Sequence, residues 1–206
     1  MAVPFRVVAA TIFVVASPYT CAQEGDAELV KKLNNPVSAL ISVPLQLNYD
    51  DNIGPGERGD RWLLNVQPVI PVTLNQDWNL ISRTIVPIVN QKDVSAPGRR
   101  DSGIGDIVQS LFLSPQNPTS GGWVWGAGPV LLLRTGEDNL SAEKWGAGPT
   151  AVVLRQESGW TYGALANHIW SFAGSDSARD VSATFIQPFL SYTTTRYTTF
   201  TLNTES

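Results

Sequence analysis

The chain has one cysteine, Cys21, and one histidine, His168. A leader cleaved after Ala22 removes Cys21 and leaves a mature chain with no thiol. That excludes disulfides, thiol nucleophiles and cysteine-based zinc sites, and it suits an oxidising compartment. Charge is scarce too. Charged residues make up 16% of the chain, against roughly 25% in ordinary soluble domains. The net charge of −4 supplies no basic surface for nucleic acid. Long apolar runs are also missing: none reaches the ~18 residues that a spanning helix needs.

What the N-terminus does contain is the pattern of a secretory signal, residues 1–22. Arg6 gives the positive start and residues 7–16 form an apolar stretch too short to span. Pro18 breaks it, and Thr20-Cys21-Ala22 puts small residues before a cleavage point. A short N-terminal anchor and acylation at Cys21 are the alternatives. Residues 23–36 then read as a short periplasmic segment. Within it, 26–34 is amphipathic, with Leu29, Val30 and Leu33 on one side. It reads as a linker, the alternative being a plug or docking helix.

From residue 37 the apolar positions recur with a period of two. Over 37–49 the odd positions are Ala39, Ile41, Val43, Leu45, Leu47 and Tyr49, while Ser42, Gln46 and Asn48 are even. Over 61–73 the even positions are Trp62, Leu64, Val66, Pro68, Ile70 and Val72, while Arg61, Asn65 and Gln67 are odd. Further strands are predicted at 78–90, 106–114, 123–134, 144–156, 160–172, 181–192 and 197–206. Lipid demands such alternation, and tilted strands cross its hydrocarbon in roughly 9–11 residues. Strands of soluble proteins run about 5–6 residues.

The connections alternate in length. Long ones fall at 50–60, 91–105, 135–143 and 173–180, and short ones at 75–77, 115–122, 157–159 and 193–196. Outer-membrane barrels have short periplasmic turns and long outer loops, which places the N-terminus in the periplasm. The nine predicted strands are an odd number, where closed bacterial barrels have an even one. The ninth ends in polar Thr204-Glu205-Ser206 instead of an aromatic. Residues 37–206 are therefore expected to form an all-β, antiparallel outer-membrane-type β-barrel, truncated and lacking about three strands.

Trp62, Trp78, Trp123, Trp125, Trp145, Trp160 and Trp170 lie near predicted strand ends. Interfacial belts favour Trp there; core Trp of a sandwich is the alternative. Trp125-Gly126-Ala127-Gly128-Pro129 recurs as Trp145-Gly146-Ala147-Gly148-Pro149, which puts the copies on adjacent strands of one hairpin. Alternate glycines leave one strand face bare. Pro44, Pro68, Pro71, Pro87, Pro129, Pro149 and Pro188 fall inside predicted strands. Proline cannot donate to the ladder, so bulges or incomplete pairing are expected.

Arg83 is central in its strand, where lipid exposure would cost about 2–4 kcal/mol, so it is placed in the lumen. Arg134 and Arg155 sit at strand ends, within reach of headgroups. By parity Asn65, Gln67, Arg83 and Gln187 are the candidate lumen-lining residues, selecting solutes by hydrogen bonding and charge. His168 has no G-x-S-x-G partner and reads as a structural or lumen residue. Gly103-Ile104-Gly105-Asp106 precedes no helix that would bind phosphate. It reads as a tight loop-to-strand turn with Asp106 bonding local backbone. Acids in the long loops (Asp50, Asp51, Asp60, Glu137, Asp138, Asp176, Asp180) interleave with Arg58, Lys92, Arg99, Arg100 and Arg179, as a solvated surface does. No catalytic, metal or cofactor-binding residue is assigned, and no cofactor is implied.

Several segments together resemble the bacterial outer-membrane family named for the MetA protein of phenol degradation, whose members also carry the label neuromedin U. They are NPVSALISVPLQLNYD at 35–50, NVQPVIP at 65–71, DWNLISRTIVP at 77–87, SGIGDIVQS at 102–110, the WGAGP pair and GALANHIWSFAG at 163–174. TLNTES at 201–206 resembles a strand that is interior in longer relatives. The resemblance implies a barrel of about twelve strands, about nine of them present here, that passes small hydrophobic or aromatic compounds. It brings no catalytic residues. The expected protein is a passive, porin-like transporter without a reaction. Its partners are outer-membrane lipid and lipopolysaccharide, an unidentified small solute and the outer-membrane assembly machinery, with no nucleic acid. Two alternatives stand beside it: a secreted or periplasmic β-sandwich that binds a ligand, and an outer-membrane lipid hydrolase with His168 as base.

Overall fold

The computed structural model describes residues 6–14, 32, 35–38, 40–194 and 198–203. The expected cleavage site at Cys21-Ala22, most of the 26–34 stretch and Thr204-Glu205-Ser206 lie outside them. The strands, in chain order, are β1 (Arg6–Val14), β2 (Val43–Ile53), β3 (Gly59–Val66), β4 (Val69–Thr73), β5 (Trp78–Lys92), β6 (Arg100–Ile104), β7 (Ile107–Pro115), β8 (Trp123–Leu133), β9 (Lys144–Glu157), β10 (Trp160–Gly174), β11 (Ser182–Thr193) and β12 (Thr199–Asn203). All pair antiparallel in one sheet.

β3 and β4 both pair with β5 and are two halves of one strand, broken at Gln67-Pro68. β6 and β7 are likewise halves, broken at Gly105-Asp106. Counted so, β2 to β12 make nine strands, curled into a half-barrel, an open form of the β-barrel. Neighbours in the sheet are neighbours in sequence throughout. Among the described residues nothing pairs β12 back to β2. A β-sandwich needs two facing sheets, so the single sheet rules out that architecture.

The first predicted strand, β2, starts later than its periodicity predicts, at Val43 instead of 37. Residues 35–38 form a turn: Ser38 N donates to Asn35 O at 3.1 Å and Val37 N to Asn35 Oδ1 at 3.0 Å. The Asn-Pro pair favours a turn, and Val37 is 4% exposed within the core. Burial of that side chain outweighs continuation of the strand. The long connection at 91–105 is mostly a hairpin, with Lys92 opposite Arg100 and Ile88 opposite Ile104.

The prolines behave as their missing N–H requires. Pro129 and Pro149 face each other across β8 and β9. On their outer sides pairing lapses, between Ser110↔Val130 and Leu113↔Ala127 on one side and between Asn167↔Thr150 and Trp170↔Ala147 on the other. It resumes each time in the same register. Pro87 stands at the break between β6 and β7, and Gly105 N donates to its carbonyl at 2.9 Å. Pro68 marks the break between β3 and β4. Pro44 and Pro188 lie just before pairing with β3 and β12 begins. The far side of Pro71's strand carries only the bridge Ser42↔Val69. Incomplete pairing, more than bulging, is how the ladder accommodates them.

Register assigns the faces. On the concave side Val37, Val69, Ile81, Phe112, Val152, Leu154 and Leu165 form the core, with Val124, Phe185 and Phe189 packed against it. The convex side carries the exposed apolar residues, among them Leu47, Ile70, Val72, Ile88, Leu113, Val153, Ile186, Leu190 and Leu202.

Candidate functional site: the two faces of the curled sheet

The convex face is apolar between two aromatic girdles. At the short-turn end Trp78 meets Trp125 edge-on at 5.9 Å, Trp123 meets Tyr162 at 6.0 Å, and Trp160 meets Tyr192 at 4.8 Å. At the long-loop end Tyr49 lies 4.7 Å from Trp62, and His168 lies 4.2 Å from Trp170. Trp145 is exposed there as well. Six of the seven tryptophans are more than a third exposed, unlike the core Trp of a sandwich. An exposed apolar surface of this extent needs an apolar surrounding, and Trp and Tyr edges suit its wet margins.

Polar side chains on this face bond to each other. Thr84 Oγ1 donates to Gln109 Oε1 at 2.6 Å, and Gln109 Nε2 donates to Ser82 Oγ at 3.0 Å. His168 also faces outward, so of its two expected readings, structural or lumen, the lumen one is corrected. The cause is register: it lies opposite Thr184, in the alternating set that includes Trp170. Its Nδ1 is 2.6 Å from Thr184 Oγ1 and its Nε2 is 3.4 Å from Ser182 Oγ. Both ring contacts go to hydroxyls. A hydrolytic base would be oriented by a third group, and no carboxylate is seen to do this among the described residues.

The concave face carries a polar track on β2 to β6. Arg83 Nη2 donates to Gln67 Oε1 at 2.6 Å, Gln67 Nε2 to Gln46 Oε1 at 2.8 Å, and Gln46 Nε2 to Asn48 Oδ1 at 3.3 Å. Gln46 and Gln67 are both 6% exposed. An unpaired amide so buried would cost about 1–3 kcal/mol, which fixes the chain of contacts. Further toward the long loops, Asp50, Arg61, Gln91 and Asp101 form one cross-strand row. Arg61 reaches Asp50 Oδ2 through Nη2 at 2.7 Å and Nε at 3.0 Å.

All four expected lumen residues have concave parity. Gln67 and Arg83 are in contact, and Asn65 opposes Gln46 two positions away on the same strand. Gln187 stands apart on β11, opposite Leu165 and between the core-packed Phe185 and Phe189. Sequence reasoning set Arg61 on the polar side of its strand and Asp50 in a loop, but missed the row that they form with Gln91 and Asp101, because all four lie in or beside connections that read as loops. Cross-strand pairing supplies the signal that alternation within one strand does not.

Beneath the track the floor is apolar. The 35–38 turn lays Val37 against the bare face of Gly126, where an added Cβ would lie 3.2 Å from both Val37 Cγ1 and Phe112 Cβ. Asp106 is the other organising residue. It bonds the distant 134–143 loop and not local backbone, which corrects the turn reading. Its carboxylate accepts from Thr135 N at 3.1 Å, Gly136 N at 2.9 Å, Ser141 Oγ at 2.8 Å and Ala142 N at 2.6 Å. The strand break at Gly105 points it past the end of β8.

Two carboxylates at the long-loop end, Asp101 near the start of β6 and Asp180 in the connection before β11, titrate low. The Ser95 hydroxyl and then the Arg99 guanidinium, at 2.8 Å, hold the Asp101 carboxyl below the ordinary carboxylate range. The Lys144 ammonium, at 2.9 Å, does the same for Asp180. A lowered native pKa adds stability above the unfolded pKa and loses it as pH falls through the folded one. Acidification below the usual carboxylate range should therefore loosen segments 93–101 and 174–181. Amide protection, corrected for the intrinsic pH dependence of exchange, should fall there first, and Asp101→Asn should flatten the response of the first segment. Protection that stays uniform across pH would contradict these bonds.

Comparison with protein-family models, curated proteins and solved structures finds no match for the chain.

Proposed function

We propose that the chain is an outer-membrane β-barrel protein that passes small solutes passively along its concave face, once residues 1–22 have been removed. The observation that carries this reading is the convex face: apolar over nine strands and edged by aromatic pairs at both ends. A soluble sheet hides such a face. The polar track opposite it supplies hydrogen-bonding groups that lipid does not. The long loops then face outward, toward lipopolysaccharide, and the outer-membrane assembly machinery is the expected folding partner. The resemblance to the MetA-named family supports small hydrophobic or aromatic compounds as the solute.

Fractionation tests the first half. The protein should remain with outer membranes after alkaline washing, require detergent for extraction, and migrate differently on gels before and after heating. A protein that stays soluble without detergent ends the barrel reading. Planar-bilayer conductance and uptake of phenolic solutes into liposomes test the second half; intact insertion with neither activity removes transport while leaving the fold.

A further inference from the structure

We infer that residues 134–143 are a fixed constriction at the long-loop mouth, and that Glu137 on this loop gives the mouth a preference for cations. The inference rests on the channel reading above. β8 ends at Leu133 while β6 extends further toward the outside, so one edge of β6 has no strand beside it. The loop fills that edge. Glu137 N donates to Ile104 O at 2.9 Å, and the Glu137 side chain accepts from Ile104 N at 3.4 Å. One residue thus replaces both bonds of a missing strand neighbour.

The same contacts bring the carboxylate to the concave side. Gly103 pairs with Val89, in the concave alternation set of Gln91 and Asp101. A Cβ on Gly103 would lie 2.4 Å from Glu137 Cδ, so the carboxylate occupies the space that a concave-facing side chain would take. Leu140 O lies 3.4 Å from the Cβ position of Gly105, beside the Pro87 ring. The loop is therefore turned inward over the mouth, with Asp106 as its positioning residue.

Position and charge together single out Glu137. Asp50 is matched by Arg61, Asp101 by Arg99, Asp180 by Lys144 and Glu143 by Arg134. Asp51 and Asp60 have no ion pair among the described residues, but they lie opposite each other in the convex alternation set; Asp138 and Asp176 have none either, and neither is held against the concave face by a strand contact of the kind that Glu137 makes with Ile104. Among the described residues no cation lies within ion-pair distance of Glu137. An unmatched carboxylate fixed on the concave side raises the local cation concentration.

The test is single-channel recording of the full chain in asymmetric KCl. Glu137→Gln keeps an oxygen for Ile104 N and removes only charge. Wild type should be cation-preferring, and the variant's reversal potential should move toward zero with little change in conductance. Asp106→Ala should release the loop, raise conductance and expose 134–143 to protease. A wild-type preference for anions, the sign Arg83 would impose, overturns the inference, as does a reversal potential unchanged by Glu137→Gln. Protease resistance and conductance both unchanged in Asp106→Ala overturn the constriction. Wild type that inserts without conducting removes the channel reading itself, and this inference with it.

Discussion

Gly148→Ala should cost at least about 3 kcal/mol, above the usual range for one added methyl in a packed interior. A Cβ at Gly148 would sit 1.7 Å from the His168 carbonyl oxygen, and one at Gly128 would sit 2.0 Å from that of Leu111. Both obstacles are backbone, so neither can rotate away as a side chain would. Each glycine precedes a proline at which ladder pairing lapses. The neighbouring strand leans into the bare face there, and the methyl would have to push a whole strand outward. Gly126→Ala is the control. Its neighbours at 3.2 Å are Val37 Cγ1, which can rotate, and Phe112 Cβ, which need yield only a few tenths of an ångström, and about 1 kcal/mol is expected. Urea titration of the refolded protein, followed by the heat-sensitive gel shift, separates the two. Equal midpoints for Gly148→Ala and Gly126→Ala would show that the close carbonyl approach carries no weight.

The repeat that contains these glycines illustrates what the sequence discloses. Trp125 and Trp145 with their alternating glycines announce a hairpin with one bare face, and the pairing Pro129↔Pro149 bears that out. Period-two alternation likewise gives nine strands, and parity gives the concave side for Asn65, Gln67, Arg83 and Gln187. What stays hidden depends on partners remote in sequence. Nothing local in Asp106 says that it will bond Ser141 and Ala142, because that contact exists only where β8 stops short of β6. His168 reads as either a structural or a lumen residue until strand pairing sets its parity. Val37 reads as the start of a strand, and only the burial available over Gly126 turns it aside. The Asp50–Arg61 pair lies hidden because its members flank a connection that reads as loop, yet Ile53↔Gly59 still pairs there.

Val37 also governs the largest functional effect to be expected. Its turn packs Val37 onto the apolar floor of the concave face. Burying a valine side chain contributes about 1.5–3 kcal/mol. On the same face Asn79 Oδ1 is buried and accepts no hydrogen bond among the described residues, at a cost of about 1–3 kcal/mol that offsets part of the burial there. Val37→Ala removes about 2 kcal/mol of burial and cavity energy, a roughly 30-fold shift toward the open floor. Val37→Asp, which cannot bury its charge unpaired, should open it almost fully. Conductance should then rise in the order wild type, Val37→Ala, Val37→Asp, and deletion of residues 26–38 should match the last. Because the strands lose core packing but no ladder hydrogen bond, the heat-sensitive gel shift should persist in all three. If Val37→Asp stays folded and conducts like wild type, the turn does not close the solute path, and the track above it must leave the concave face by another route.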